Sequence, residues 1–329
     1  MAISIPSNDE LSEIFRKILE IKGDCSIERS ILSKSPFSLL EKIKLRETNQ
    51  VFVLKSVIIY LANEITIHKK VNGFPINAVK ILYSYSNSIE KKFFFIMEYL
   101  EELIHLYSID PIPEETYFTL MEKVAHLHCS TRNVSQQMIG QIQQYGPNWY
   151  QHYSEHIANQ VMDVFRLQKQ NIPFGQDIVE KINSMVTNFP NLFDCCKAFP
   201  LCIVHGDLNL GNIVTFSKNE IEPFVIDWGM GHIDSSLVDI GHLFDSINFN
   251  NKKFEKELLD HYFKHAKALY PQEISIEESL LAGKIMHLLY YINFKALATL
   301  QGWVSVDYFI HGLSQEVVYI MGLIQEKMH

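Results

Sequence analysis

The chain has 329 residues, enough for two domains or lobes, and its 47% apolar and 20% charged residues are typical of a globular protein with a sizeable core. A net charge of −9 argues against general nucleic-acid binding. No apolar run reaches the roughly 18 residues that a membrane-spanning helix needs. We therefore expect neither nucleic acid nor membrane as a partner.

The cysteines and the N-terminal residues indicate a reducing compartment. There are five cysteines, an odd number, and Cys195 and Cys196 are adjacent, which is a poor geometry for a disulfide framework. The first residues have neither the basic start nor the apolar stretch of a signal peptide. We expect a cytoplasmic protein.

The first hundred residues are predicted to form a helix followed by a small antiparallel sheet. Ser7 or Asn8 caps the first helix, which Gly23 ends. A second helix is predicted from about 57 to 71. Apolar and β-branched runs bounded by turn residues predict five strands, at 27–33, 38–47, 50–57, 78–86 and 91–100.

The remaining residues are mainly helical in pattern. Helices are predicted from about 111 onward, at 148–170 and 176–188, and from 253 to the end, and strands only at 202–204, 212–216 and 223–227. We therefore predict an α+β fold of two lobes, residues 1–100 with a small antiparallel sheet and residues 101–329 with a larger helical part. A linker lies near 99–102.

Charge divides along the same boundary. Residues 1–100 carry 14 basic and 11 acidic side chains, whereas the rest carry 15 basic and 27 acidic ones. A basic lobe suits phosphate groups and an acidic lobe suits a cationic second ligand. The alternative is that the acidic surface only keeps the protein in solution.

Two loops concentrate polar residues at the ends of apolar strands. In IVHGDLNLGNIV, residues 203–214, the glycines allow a tight turn that brings Asn212 back beside Asp207. Asp227 follows a second apolar strand, and a hairpin would place it next to Asn212. Such oxygen donors suit Mg²⁺. Asp207 would then accept a proton from a substrate hydroxyl group.

The N-terminal lobe offers a clamp for phosphate groups. Lys55 lies in the third predicted strand and Glu64 in the helix that follows. Kinases use a strand lysine paired with a helix glutamate to hold the α- and β-phosphates. Glu98 and Leu100, at the end of the last strand of this lobe, are predicted to meet the adenine ring with backbone groups.

These motifs resemble those of the aminoglycoside phosphotransferase and choline kinase group of small-molecule kinases, over about residues 30–245. His205-Gly206-Asp207 with Asn212 resembles its H-G-D-x-x-x-x-N motif, and Ile226-Asp227-Trp228 its I-D-W motif. Three further segments agree with the group, namely Leu127-His128, the segment around Asp239 that braces the catalytic loop, and the serine-containing loop from Ser33 to Ser38. Asn209-Leu210 departs from the family, which often has His or another polar residue followed by Pro there.

The resemblance implies a protein-kinase-like fold and a role for each site residue. Asp207 is the expected catalytic base, and Asn212 and Asp227 are the expected Mg²⁺ ligands. Lys55 is expected to contact phosphate, with Glu64 behind it. Ser35 is expected to belong to the loop that covers the nucleotide, which is ATP, with GTP possible.

The implied reaction is Mg²⁺-dependent transfer of the γ-phosphate of ATP to a hydroxyl group of an aminoglycoside or another amine-bearing antibiotic, a small cationic acceptor. The first alternative is a metabolic kinase for choline, ethanolamine, a sugar or an amino alcohol. The second is a non-catalytic nucleotide-binding structural protein such as a spore-coat component. The complete set of Lys55, Asp207, Asn212 and Asp227 favours an enzyme, and the oligomeric state stays open.

Several other residues allow two interpretations. Trp149, Tyr150 and Tyr153 either line an acceptor pocket or belong to the core. Asp234 belongs either to a turn or to the acceptor site.

Overall fold

The computed structural model of the protein describes residues 3–58, 61–71, 74–76, 79–101, 103–137, 142–168, 175–181, 183, 195–217, 222–247, 251–267, 275–313, 315, 319 and 322. The chain forms two compact units. Unit 1 comprises Met1–Thr116 and Gly211–Gly231, and unit 2 comprises Tyr117–Leu210 and His232–His329.

Unit 1 is built on a five-stranded antiparallel sheet with the strand order β1-β2-β3-β5-β4. The strands are β1 (Ile27–Lys34), β2 (Ser38–Leu45), β3 (Val51–Val57), β4 (Ile81–Asn87) and β5 (Lys92–Glu98), and the helices are α1 (Asn8–Leu19) and α2 (Asn63–Val71). All five predicted strands are present.

Helix α1 begins at a capping box. The backbone N–H of Glu10 donates to Oγ of Ser7 at 3.2 Å, and the backbone N–H of Ser7 donates to Oε2 of Glu10 at 2.7 Å. These two bonds satisfy donors that the first helical turn leaves without partners. Leu11 and Phe15 on the inner face are fully buried in a core with residues of the sheet, so the apolar stripe of the sequence attaches this helix to the sheet.

Strand β3 lies between β2 and β5 and contains Lys55. Lys55 is opposite Leu40 of β2 and Phe95 of β5. A lone lysine in an apolar strand would ordinarily indicate an exposed edge strand. Here it lies in the middle of the sheet, and its side chain is buried. Because a buried charge is costly unless it is paired, this ammonium group requires charged partners inside the protein.

Residues 211–231 lie in unit 1, although the predicted boundary near residue 100 assigns them to the second lobe. They contain strands β8 (Ile213–Thr215) and β9 (Phe224–Val225), which form a three-stranded sheet with β6 (Ile104–His105). The backbone N–H of Val225 also donates to the carbonyl oxygen of Ile76 at 2.7 Å. Strand pairing between residues distant in sequence attaches this segment to unit 1.

Unit 2 is mainly helical. Its helices are α3 (Glu114–Gln137), which begins in unit 1, α4 (Pro147–Gln168), α5 (Leu237–Ile247), α6 (Lys252–His265) and α7 (Ile276–Leu300), together with helical segments at 175–181 and 306–313. Helices α5 and α7 approach very closely. A Cβ atom on Gly283 would lie 2.2 Å from the carbonyl oxygen of Leu237, so glycine is required where the two backbones meet.

Unit 2 also contains a two-stranded antiparallel sheet of β7 (Leu201–Val204) and β10 (His232–Ser235). The sequence pattern did not predict β10. Its His-Ile-Asp-Ser sequence has polar side chains that are uncommon in strands, yet all four residues are buried. Hydrogen bonds described below satisfy the carboxylate of Asp234.

The fold class is α+β, as predicted, with a five-stranded antiparallel sheet and a larger helical part. Across the described residues, no helix combines the length and the apolar character that crossing a bilayer requires.

Candidate active site

Lys55 forms ion pairs with two carboxylates of unit 1. Its Nζ lies 2.7 Å from Oε1 of Glu64 and 2.6 Å from Oδ1 of Asp227. The side chains of Lys55 and Glu64 are 4% and 1% exposed, whereas that of Asp227 is 55% exposed. The buried glutamate therefore holds the ammonium group in place, and the accessible aspartate can exchange this contact for a ligand.

The pKa of Lys55 reflects this arrangement. Burial by itself lowers the pKa of the ammonium group, but the negative charges of Asp227 and Glu64 and their hydrogen bonds outweigh burial and raise the pKa above its usual value. Lys55 is therefore a permanent positive charge at neutral pH. It is suited to an anionic ligand and unsuited to act as a base.

Glu64 lies in the first turn of α2 and is almost completely enclosed. Its Oε1 contacts Lys55, and Nε2 of His68, one helical turn later, lies 3.6 Å from the same oxygen. Its Oε2 is buried and has no hydrogen-bond partner among the described residues. Because a buried carboxylate is costly unless it is paired, the stability of this region depends on Lys55.

We expect Lys55→Met to lower the free energy of unfolding by about 3–5 kcal/mol, because it leaves the Glu64 carboxylate buried without its partner. The double variant Lys55→Met/Glu64→Gln should recover much of this loss, since it removes the buried charge as well. Urea unfolding of the wild type and both variants measures the difference. If Lys55→Met unfolded at the same urea concentration as the wild type, the buried pair would not have this structural role.

Asp227 adopts a backbone conformation that directs its side chain. Its φ of 61° places it in the left-handed region, where it caps a short 3₁₀ turn, Trp228–Met230, by accepting the backbone N–H of Gly229 at 3.4 Å. Aspartate and asparagine tolerate this region better than most residues. The next residue, Trp228, is fully buried. In the Ile-Asp-Trp motif, the tryptophan therefore packs in the core, and the aspartate before it adopts the left-handed conformation of the turn.

Asn212 directly precedes β8 and Asp227 comes two residues after β9, so that both lie at the same end of the predicted hairpin. β8 and β9 pair through Ile213 and Val225, and the backbone N–H of Ile226 donates to the carbonyl oxygen of Asn212 at 3.0 Å. The turn of this hairpin, residues 218–221, lies outside the described residues. Among the described residues, the hairpin brings one amide and one carboxylate side chain to the same part of unit 1.

A cavity of about 310 Å³ in unit 1 contains most of the residues predicted to bind nucleotide or metal. The lining includes Lys55 with its two ion-pair partners Glu64 and Asp227, and the segment that follows β5 lines the cavity as well. The remaining lining residues are Leu32, Leu40, Val53, His68, Val79, Met97, Glu98, Tyr99, Leu100, Leu103, His105, Asn212 and Ile226. The lining therefore combines many apolar side chains with a group of charged side chains around Lys55, as binding of a ring attached to phosphates requires.

Ser35 is not among the residues that line this cavity in the described structure. Its Oγ accepts the backbone N–H groups of Phe37 at 3.1 Å and of Ser38 at 3.0 Å, and so shapes the turn between β1 and β2. His68 and His105 also line the cavity, although no motif of the sequence indicates them. Nδ1 of His105 lies 2.8 Å from the carbonyl oxygen of Gly211, a contact that no sequence pattern indicates.

Asp207 lies in unit 2, in the loop that follows β7. Its side chain is 33% exposed, and its Oδ1 accepts a hydrogen bond from Nδ2 of Asn209 at 2.9 Å. Asn209 also donates to the backbone carbonyl of Asp207 at 3.1 Å. Asn209, where the sequence departs from the pattern of the aminoglycoside phosphotransferase and choline kinase group, therefore holds the carboxylate of Asp207 in position.

His242 is a second neighbour of Asp207, and sequence reasoning missed it. Its Nε2 lies 3.6 Å from Oδ1 of Asp207, and its other ring nitrogen contacts the imidazole of His287. Burial lowers the pKa of His242 to about 4, and the opposing effect of Asp239 is smaller. At neutral pH His242 is uncharged, and it therefore does not neutralise Asp207.

Asp239 braces the loop that carries Asp207. Its carboxylate accepts the backbone N–H of His205 at 2.7 Å and of Gly206 at 2.9 Å, and Nε2 of His128 lies at 3.1 Å. Burial raises the pKa of Asp239. The hydrogen bond and charge of His128, together with the contributions of His205, lower the pKa by more than burial raises it, so the net shift is downward. Asp239 stays ionised while completely enclosed.

We expect Asp239→Asn to cost about 1.5–3 kcal/mol for each charged hydrogen bond lost, because one amide group then faces N–H donors. Since the folded pKa lies below the usual 3.8, the stabilisation is present above that pH and is lost as the pH falls through the folded value. Unfolding measured at pH 7 and at pH below 3.8 tests this. Asp163→Asn, at an exposed site on α4, should change little, and equal effects of the two substitutions would contradict the assignment.

Tyr150 and Asp234 belong to a buried network in unit 2. The hydroxyl of Tyr150 donates to Oδ2 of Asp234 at 2.7 Å, and the backbone N–H of Ser235 donates to its Oδ1 at 2.6 Å. Tyr150, Asp234 and Ser235 are fully buried. These contacts favour the structural interpretation for Tyr150 and Asp234. The side chain of Tyr153 lies outside the described residues.

A family model described as "Uncharacterized oxidoreductase dhs-27", DUF1679, matches residues 60–282 of the chain. No curated protein matches the sequence.

Solved structures of phosphotransferases and kinases resemble the chain over nearly its whole length. A proposed aminoglycoside phosphotransferase from Ralstonia eutropha JMP134 is 16% identical with a TM-score of 0.66, covering 98% of both chains. The choline kinase LicA from Streptococcus pneumoniae is 16% identical with a TM-score of 0.60, covering 95% of this chain and 98% of its own. Spectinomycin phosphotransferase APH(9)-Ia, in complex with ADP and spectinomycin, is 11% identical with a TM-score of 0.60, covering 98% and 100%.

This likeness, at low identity, establishes the fold. The predicted resemblance to aminoglycoside phosphotransferases and choline kinases is confirmed at that level, and the fold class is the protein-kinase-like one predicted from the motifs.

Proposed function

The chain belongs to the DUF1679 family, and we propose that it is a small-molecule O-phosphotransferase that transfers the γ-phosphoryl group of ATP to a hydroxyl group of its acceptor. The observation that carries this proposal is the position of Lys55. A permanently charged ammonium group, held by buried Glu64 and accessible Asp227, lines a cavity that also has many apolar lining residues. This arrangement suits a nucleotide whose phosphates lie near Lys55.

The nucleotide would place its base against the apolar lining, with backbone groups of Glu98 and Leu100 as hydrogen-bond partners. Lys55 would contact the phosphates. Related folds with bound nucleotide support this choice, since one solved structure contains LicA with AMP and another contains an aminoglycoside 2'-phosphotransferase with GDP. ATP is the proposed donor, and GTP is the alternative.

The donor set of Asn212 and Asp227 fits Mg²⁺. Mg²⁺ prefers oxygen ligands and is usually held by one or two carboxylates together with substrate phosphates. The carboxylate of Asp227 is more than half exposed, and both residues line the cavity. When bound, the ion would neutralise phosphate charge and hold the nucleotide.

Asp207 would act as the base of the reaction. Asn209 holds its Oδ1, and the neighbouring His242 is uncharged at neutral pH. The carboxylate would take the proton of the acceptor hydroxyl as that oxygen forms a bond to the γ-phosphorus. The bond between the γ-phosphorus and its bridging oxygen breaks, and its electron pair leaves with ADP. Asp207 then returns the proton to solvent.

The acceptor we propose is an aminoglycoside or another amine-bearing antibiotic, with choline, ethanolamine, a sugar or an amino alcohol as the alternative. The 27 acidic and 15 basic residues after residue 100 favour a cationic molecule. Neighbours of both kinds occur among the structures of this fold.

The description of the family model suggests a redox enzyme, and the fold does not favour that function. Dinucleotide-dependent oxidoreductases of the Rossmann type use a parallel sheet and a glycine-rich G-x-G-x-x-G turn. The named strands that the structure describes pair antiparallel, and the sequence contains no such turn. Retention of Lys55, Asp207, Asn212 and Asp227 likewise favours an enzyme over a nucleotide-binding structural protein.

A screen of acceptors tests the proposal. The purified chain is incubated with Mg²⁺ and ATP or GTP and with a panel of aminoglycosides, other antibiotics, choline, ethanolamine, sugars and amino alcohols. Mass spectrometry should detect the gain of one phosphoryl group on an acceptor, and Asp207→Asn serves as the control. Nucleotide binding without any phosphorylated product would favour the structural protein, and oxidation of NADPH with the same panel would favour the redox enzyme.

A further inference from the structure

A group of metal-ligating side chains lies in unit 2, apart from the residues discussed above. Glu122 of α3 and His261 and His265 of α6 come together there. One nitrogen of each imidazole and one carboxylate oxygen lie within 4.8 Å of one another. Three potential ligands at this separation need only small side-chain rotations to reach a common ion, since zinc binds nitrogen and oxygen at about 2.0–2.2 Å.

The spacing of the two histidines explains why they converge. Residues four apart lie on the same face of a helix, one turn above the other. His265 is the last residue of α6, and its Nδ1 lies 4.0 Å from Oε1 of Glu122. The ring of His261 packs edge-on against Phe118 of α3, with the ring centres 5.1 Å apart. Packing between α3 and α6 therefore orients the histidines towards the glutamate.

One ring nitrogen of His261 has no hydrogen-bond partner among the described residues. This atom, Nε2, is buried. Native proteins seldom leave buried polar atoms without partners unless a water molecule or an ion supplies one. The buried nitrogen of His261 therefore indicates that a ligand belongs at this position.

We propose that Glu122, His261 and His265 bind a divalent transition-metal ion of the zinc class, with water completing the coordination. Imidazole nitrogens favour zinc, nickel and copper, whereas magnesium and calcium favour oxygen ligands alone. Two histidines and one glutamate form a known zinc ligand set. The ion would join α3 to α6 and stabilise unit 2. This site does not depend on the proposed phosphotransfer.

Metal titration of the full, untagged chain tests the site. The Asp227→Asn background is used so that the predicted Mg²⁺ ligands do not contribute. We expect one equivalent of Zn²⁺ by equilibrium dialysis, visible absorption when Co²⁺ is substituted, and a melting temperature that rises with Zn²⁺ and falls with a chelator. His265→Gln and Glu122→Gln should each weaken Zn²⁺ binding on the order of 10²-fold.

His156→Gln is the matched control, because His156 is an exposed histidine on α4 next to Gln160, and it should leave Zn²⁺ affinity unchanged. All variants should melt at the temperature of the Asp227→Asn parent without metal, since Glu122 and His265 are exposed and His261 is partly exposed. Zn²⁺ binding that His265→Gln and Glu122→Gln do not alter, or absence of any bound Zn²⁺, would overturn the proposal.

Discussion

Asp207→Asn is expected to lower kcat by roughly 10²–10⁴-fold, the range for loss of a positioned general base. The amide has nearly the same shape as the carboxylate and keeps an oxygen that can accept the Asn209 hydrogen bond seen at 2.9 Å. It cannot take a proton from a hydroxyl group. The substitution therefore separates proton acceptance from loop structure, and steady-state kinetics with the acceptor found by the screen measures its effect.

Nucleotide affinity should stay nearly unchanged in Asp207→Asn, because Asp207 does not line the cavity that contains Lys55 in the described structure. Asp163→Asn, which removes a carboxylate from an exposed ion pair on α4, should retain the wild-type kcat. A parallel loss of nucleotide affinity and melting temperature in Asp207→Asn would indicate misfolding. Wild-type kcat would contradict the assignment of Asp207 as the base.

Asp227→Asn is expected to reduce Mg²⁺-dependent nucleotide affinity on the order of 10²-fold or more. Loss of a residue that only hydrogen-bonds to a metal ligand already lowers metal affinity by about 10–100-fold, and loss of a ligand itself should cost at least as much. Asparagine suits the left-handed backbone at φ 61°, whereas alanine there costs about 1–2 kcal/mol. The substitution therefore removes one negative charge without distorting the turn. Isothermal titration with ATP at several Mg²⁺ concentrations gives the affinity and its dependence on the ion.

Affinity for ATP in the presence of a chelator should fall much less in Asp227→Asn. The loss of negative charge beside Lys55 even favours the phosphates, because Nζ of Lys55 then retains only Glu64 as a charged partner among the contacts described for it. Asp227→Ala serves as the matched variant and should show the same dependence on Mg²⁺ with a lower melting temperature. An unchanged Mg²⁺ titration in both variants would exclude Asp227 as a ligand.

The predictions made from the sequence were most accurate where a pattern of residues has one local cause. Ser7 and Glu10 form a capping box through bonds between neighbours in the chain, and the strands around Lys55 follow from runs of apolar and β-branched residues. The pairing of Lys55 with Glu64 was also predicted, because kinases pair a strand lysine with a glutamate of the following helix, and the structure contains this ion pair.

Other features depend on residues far apart in the sequence. His242 contacts Asp207 only because α5 packs beside the loop after β7, and β10 forms although its polar residues argue against a strand. Ser35 was predicted to belong to the loop that covers the nucleotide, whereas its described hydrogen bonds lie within the turn between β1 and β2. A serine in a loop can bind a ligand or shape a turn, and the described hydrogen bonds are those of the turn.

The sequence by itself determined the fold class, the chemical types of the candidate site residues and their order along the chain, because backbone periodicity, capping and motif spacing are local properties. Only the tertiary structure decided that Lys55 is buried between two carboxylates, that residues 211–231 lie in unit 1, and that Glu122 meets His261 and His265. Burial and contacts between distant segments depend on how elements pack, and packing sets both the pKa of a group and the partners available to it.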